Sequence, residues 1–364
     1  MKARLRRIFR PNVVLTVTIA VIGAVVAIVG LNSIKVAMTL AIQNGILTPW
    51  LLLSLLPFTM LSYGLRVLRW HFLVRRLAPS IRLTESIYSQ VVGFAFSPTP
   101  GRVAELYKLK LIERWSEQPA VRFLPAVIVE RLSDVVAFAS LAVVGSVLSW
   151  SSVIAGQRTV ALVVLGIGAI LLVGIYRYGF HRLGGPLESI LTSAVLRQRI
   201  FKLGERIPAV ARFLALTGQL RAGGARMSDP ATLVMAIAFV TLGRVGDSVV
   251  LWKLAALVGV QVPFSLAIFM IGTSGLVGGI TFSPGGLGAT EASLIGLVVA
   301  RGADLGTGMM VALGTRALIY WLWVAIGLVV FLAGQIYLKR QAALSERLKV
   351  ALVVVDRSPR HDQA

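Results

Sequence analysis

The 364-residue sequence has no cysteine and only three histidines, His71, His181 and His361, set far apart. Disulfides, thiolate catalysis and iron-sulfur ligation are therefore excluded. HExxH, GxxxxGK and a GxGxxG opening a helix after a strand are missing too, and with them the usual marks of metalloproteases, P-loop ATPases and dinucleotide enzymes. Acidic residues are scarce: 15 Asp and Glu stand against 37 Lys and Arg, a formal charge of +22. Charged residues of both signs make up 14% of the chain and apolar residues 57%, against about 25% and about 45–50% in soluble domains. That composition rules out an ordinary soluble protein and a disordered one. The positive excess would raise nucleic-acid binding first, but the long apolar runs overrule it. Lys and Arg gathered at the ends of such runs orient spans in a membrane. The chain reads as an all-α polytopic membrane protein that needs no cofactor, no metal and no nucleic acid, so its chemistry falls to Arg, Asp, Glu and backbone.

Five basic residues between Lys2 and Arg10 precede an apolar run from Val13 to Leu31. That run is longer than a signal-peptide core of about 7–15 residues and lacks a small-x-small cleavage site, so a retained first span is expected. A second span, Pro49 to Leu68, is followed by Arg69, Arg75, Arg76 and Arg82, which puts its end in the cytoplasm. The stretch Leu83 to Gly101 has basic residues on both flanks and ends in Pro98, Pro100 and Gly101, as expected of a re-entrant hairpin. Residues 102 to 118 return as an amphipathic helix. Val121 to Leu148 crosses outwards, Val160 to Tyr176 crosses back, and the basic segment 177–229 is expected to lie as amphipathic helix on the anionic inner leaflet. Ala231 to Val258 and Leu305 to Leu338 complete about six full spans. Between them residues 264 to 300 must start and end outside, so they form a second re-entrant hairpin bent at Ser283-Pro284-Gly285-Gly286.

The two hairpins share residues in order. Phe96-Ser97-Pro98-Thr99-Pro100-Gly101 precedes Glu105, and Phe282-Ser283-Pro284-Gly285-Gly286 precedes Glu291. Arg131 then lies 26 residues after Glu105, and Arg316 lies 25 after Glu291. Three crossings separate the hairpins, an odd number, so two inverted-topology repeats are expected, about 11–150 and about 158–338, within one membrane domain of residues 1–340 followed by a basic tail, 341–364. Inverted repeats with broken helices are the pattern of secondary transporters that bind near the midplane.

A serine before a proline suits a helix start, where the hydroxyl caps free N–H groups and proline loses no bond. Ser97 and Ser283 are therefore expected to open helices inside the membrane. Gly101, Gly285, Gly286 and Gly288 would let a phosphate approach those N-termini. Arg131, Arg244 and Arg316 lie inside apolar spans and call for partners. Asp134 and Asp247, each three residues on, share a helix face with Arg131 and Arg244 and can neutralise them; the arginines can also take a lipid phosphate. Glu105, Glu130 and Glu291 are candidates for balancing charge or carrying a proton.

The strings FSPTPGRVAELYKLKLI, VIVERLSDVVAF and FSPGGLGATEASLIGLV, with Thr315-Arg316 after them, resemble the lysylphosphatidylglycerol synthase transmembrane, or flippase-like, family. The resemblance runs from about residue 10 to 340. It implies a domain that moves a modified phospholipid between leaflets, in the inner membrane of a prokaryote with both termini cytoplasmic. Only about 25 residues follow Lys339, so a stand-alone flippase-like domain without the family's aminoacyl-transfer domain is expected. Ala104 replaces the glycine that similar proteins often carry in the first hairpin. The expected ligand is an anionic phospholipid or a polyprenyl-phosphate lipid, bound by Ser97, Gly101, Arg131, Ser283, Gly285, Gly286, Gly288 and Arg316. Two other readings stay open: an intramembrane lipid-modifying transferase with Glu130 or Asp134 as base, and a non-transporting partner of a lipid-synthesis enzyme acting through 177–229.

Overall fold

A computed structural model describes residues 49–99, 104–150, 229–281 and 283–337, with isolated positions at 39, 42, 162, 163, 166, 223, 224, 226 and 227. The expected first span, most of the fourth, most of 177–229 and the 341–364 tail lie outside the described residues. So do Pro100, Gly101 and Phe282.

Regular structure among the described residues is entirely helical. Helix α1 (Pro49–Leu77) runs nine residues beyond the expected span before the Ala78-Pro79 step breaks it. α2 (Leu83–Ala95) is opened by Glu85, whose Oε2 accepts from the Arg82 amide at 2.8 Å. A turn at 96–99 leads to α3 (Tyr107–Ser116), so α2 and α3 are the two arms of the first hairpin. Glu117 ends α3 in the left-handed conformation, φ 55°. α4 (Leu124–Leu148) follows a 3₁₀ turn and carries Pro125 in its first turn, where its missing N–H costs nothing.

α5 (Pro230–Leu257) and α8 (Leu305–Tyr337) are each capped by an aspartate. Asp229 accepts from the Thr232 amide and Asp304 from the Thr307 amide. These two helices, of 28 and 33 residues, are long and apolar enough to cross a membrane. Between them α6 (Phe264–Ile280), the Pro284–Gly286 turn and α7 (Ala289–Val299) form the second hairpin. Within α8 the five residues Ala317–Trp321 wind as a π-helix.

Each hairpin is seated on the span that follows the other. α6 lies on α4, where a Cβ at Gly145 would strike the Phe269 backbone and one at Gly272 would strike Ala142. α2 lies on α8, where a Cβ at Gly327 would strike Val91 and Ala95 and one at Gly334 the Tyr88 hydroxyl. Small residues at such crossings let backbones meet closely, the main source of attraction between helices in lipid. The larger apolar core joins α5 to α8 through Leu254, Leu266, Phe269, Leu294, Val298 and Val311. A second core gathers Trp70, Leu77, Ile112, Phe123 and Met227. Met227, at the end of the basic segment, is fully buried there.

Candidate functional site

The middle of α1, the end of α2 and the first half of α4 meet α5 and α8 around a cavity lined by charged and aromatic side chains from both halves of the chain. α4 supplies Glu130, Arg131 and Asp134; Asp134 lies one turn beyond the other two, four and three residues on around a 3.6-residue turn, and so neighbours both. α1 supplies Arg66 and Arg69, one turn apart in the same way.

Arg69 and Glu130 are the most enclosed of these, each 1% exposed. Arg69 Nη1 donates to Asp134 Oδ1 and Ser133 Oγ, both at 2.9 Å, and Arg69 Nη2 lies 3.4 Å from Glu130 Oε1. Lys108, on α3, is fully buried. Its Nζ donates to Glu130 Oε2, to Glu105 Oε1 at 3.2 Å and to Gln90 Oε1 at 3.0 Å, and sits 4.0 Å from the centre of the Trp70 ring. Gln90 returns its amide to Glu130 Oε1 at 3.0 Å. Arg131 donates to Glu105 Oε1 at 2.7 Å and to Asp134 Oδ2 at 3.3 Å, and its side chain is 33% exposed. On the opposite wall Asp247 accepts from Arg66 at 2.8 Å and from Arg244 at 3.1 Å. Arg244 also lies over Phe138, 4.2 Å from its centre.

Among the described residues five cations (Arg66, Arg69, Lys108, Arg131, Arg244) thus meet four carboxylates (Glu105, Glu130, Asp134, Asp247), one positive charge in excess. Buried charges persist only when paired and hydrogen-bonded, and an uncompensated cation among apolar helices invites an anion. Glu105 keeps Oε2 buried with no hydrogen-bond partner among the described residues, as does Glu291.

The second hairpin repeats one element of this arrangement. Arg316 Nε donates to Glu291 Oε1 at 2.7 Å and its Nη2 to the Gly285 carbonyl at 2.9 Å. Both glutamate-arginine pairs anticipated from spacing are thus in contact, as are Arg131 with Asp134 and Arg244 with Asp247. Arg316, however, is spent on the second turn and lies off the charged cavity, which Arg131 lines.

Neither serine caps an α-helix, although Ser283 stands where the 3₁₀ turn Pro284–Gly286 begins, with Pro284 in its first position. Ser97 follows the end of α2 and donates back to the Phe94 carbonyl at 2.8 Å; it is Thr99 that accepts the Ala104 amide ahead of α3. Ser283 makes no capping bond and lies 3.1 Å from Thr281 Oγ1, while Gly288 holds the cap position before α7. The proline-bearing turns are longer than one residue, so the helix begins beyond the serine's reach. Gly285, Gly286 and Gly288 have φ of 62°, 73° and 80°, which only glycine adopts without strain. Protein atoms fill the close approach at two of them, the Tyr320 hydroxyl at Gly285 and the Thr290 hydroxyl at Gly286, while the space beside Gly288 is open.

Sequence reasoning missed Arg66, Arg69, Gln90 and Lys108. The arginines follow an apolar run, where the positive-inside rule places them in solvent, and Lys108 sits in an alternating charged segment. The signal that could have found Lys108 is its three-residue spacing from Glu105.

Comparison with the curated proteins and with the solved structures yields no match. The model of the lysylphosphatidylglycerol synthase TM region matches residues 13–327, which takes in both hairpins and every charged residue of the cavity. The chain is thus a membrane protein belonging to the lysylphosphatidylglycerol synthase TM region family.

Proposed function

We propose that the protein carries an anionic lipid headgroup between leaflets, the tails staying in the bilayer while the phosphate enters the charged cavity. The observation that carries this reading is the five-to-four excess of cations over carboxylates, among the described residues, around a cavity set among apolar helices. Arg131 is the best placed phosphate ligand, because it lines the cavity and remains a third exposed. Arg66, Arg69 and Arg244 line the same space, with Glu105, Glu130, Asp134 and Asp247 holding them in place. Ser97 supplies a hydroxyl at the rim. Arg316, Gly285, Gly286 and Gly288 shape the second turn.

The crossed seating of the hairpins, α2 on α8 and α6 on α4, supports two inverted repeats that exchange conformations. The family and the basic segments favour a prokaryotic inner membrane with both termini inside. The transferase reading has less support, because Glu130 is held by Lys108, Arg69 and Gln90, and Asp134 by two arginines, leaving neither carboxylate poised as a base.

Leaflet exchange of fluorescent anionic phospholipids and a polyprenyl phosphate in proteoliposomes tests the proposal. Exchange that depends on headgroup and is lost in folded Arg131→Ala is the expected result. Absence of exchange with every lipid, by a protein with a normal melting transition, overturns it.

A further inference from the structure

α8 is α-helical for its whole length except the π-helical turn Ala317–Trp321. Such a turn holds one residue more than the α-helix around it, and π-bulges of this kind are frequent at functional sites. It is braced from α1: Tyr63 donates its hydroxyl to the Ile319 carbonyl at 2.7 Å, and its ring stacks on Trp323 with centroids 4.2 Å apart and planes 7° from parallel.

Tyr320 stands inside the π turn, buried to 5% exposure, and its hydroxyl meets both hairpins at once. On one side it is 3.5 Å from Ser97 Oγ, in the turn after α2. On the other it fills the space where Gly285 has no side chain. The Arg316 guanidinium, bonded to the Gly285 carbonyl, covers its ring at 4.1 Å. Tyr320 also lines the charged cavity, so it closes that cavity where the two turns meet. The Ser97 contact is long beside the 2.7–2.8 Å of a firm O–H···O bond, and so is easily parted.

We propose that Tyr320 is the gate between the two hairpin turns, and that the π turn is the joint on which it swings. This rests on the reading of the cavity as a transport site. Absorbing the extra residue into α-helix turns that part of α8 by about 100° about its axis, enough to carry the hydroxyl away from both turns. The way then opens from Arg131 and Glu105 towards Arg316 and Glu291.

The absence of native cysteine makes a clean test available. Ser97→Cys in the reconstituted full chain carries a single thiol at the gate, and its modification rate by a membrane-impermeant thiosulfonate reports whether the gate is open. Tyr320→Ala should raise that rate about tenfold or more; Tyr320→Phe, which keeps the packing and loses only the hydroxyl, should raise it about fivefold. An unchanged rate in both variants, each with an intact melting transition, overturns the gate, and Tyr320→Phe alone decides if Tyr320→Ala fails to fold. Deleting Ala317 removes the π turn and keeps the faces of both halves of α8. That deletion should leave the melting transition in place and abolish the effect of Tyr320→Phe on labelling. Labelling that responds to Tyr320 in a protein exchanging no lipid would keep the gate and sink the transport reading. Lipid exchange with labelling indifferent to Tyr320 would do the reverse.

Discussion

The two hairpins use the same turn residues and the same glutamate-arginine pair, yet they sit in different surroundings. Three residues after Glu105 stands Lys108, fully buried in a network with Glu130 and Gln90; three residues after Glu291 stands Leu294, fully buried in the apolar core. The first pair faces a cavity with surplus positive charge, while the second is closed by Gly285 and Tyr320. A shared motif therefore sets the turn and one ion pair, and the neighbours decide whether that pair meets a ligand.

Making the first hairpin like the second should have the largest effect. Lys108→Leu leaves Glu130 and Gln90 short of a donor, and breaking a buried pair in this way costs about 3–5 kcal/mol. Thermal unfolding in detergent should fall accordingly. Lys108→Leu combined with Glu130→Leu should regain much of the stability but not lipid exchange; if the single variant melts like wild type, the difference between the hairpins carries no energy.

The arginines separate the two sites by function. Arg131→Gln should lower exchange about tenfold to a hundredfold, the range set by charge-assisted hydrogen bonds of about 1.5–3 kcal/mol, with little change in melting. Arg316→Gln should instead lower the melting temperature, since its donors hold Glu291 and Gly285. Equal loss of exchange per folded molecule in both variants would erase the distinction.

The seating of the hairpins is compared by Gly272→Ala on the second and Gly327→Ala beneath the first. Each adds a methyl into backbone, and overpacking of this kind costs about 1–3 kcal/mol. Similar drops in melting temperature would mark the two seats as equivalent; a drop at one alone would show that the crossed arrangement is lopsided.

The smallest effect is expected at a helix start outside the membrane. The Thr307 hydroxyl and amide donate to Asp304 and hold its carboxyl below the usual carboxylate range. A depressed folded-state value means that this stabilisation is present above about pH 4 and fades as pH falls below it. Asp304→Ala should trim the melting temperature slightly at pH 7 and by progressively less as pH falls below about 4. A wild-type advantage that does not shrink with falling pH would remove the cap's charge from the account.

Much of the helical layout was legible because lipid imposes it: apolar runs of about 20 residues and proline-glycine breaks leave little choice where backbone must satisfy itself. The pairs Glu105–Arg131 and Glu291–Arg316 were legible because each repeats at nearly the same spacing. Ser97 was misread as a cap and Ser283 opens only a 3₁₀ turn without a capping bond, since a local preference for helix starts says nothing about how many residues a turn takes before its α-helix begins. Arg69 was misread as a solvated flank, since the rule that orients spans counts charges without knowing which face of α1 meets α4.

By itself, then, the sequence determined that this is a helical membrane protein with two like hairpins and four internal ion pairs, because hydropathy and helical spacing act over a few residues. Tertiary structure alone decided that Arg66, Arg69 and Lys108 join those pairs in one cavity, that Arg316 stays out of it, and that Tyr320 stands between the turns. Each of those outcomes depends on contacts between segments tens to hundreds of residues apart, where a change of helix rotation moves a charge from lipid surface to cavity wall.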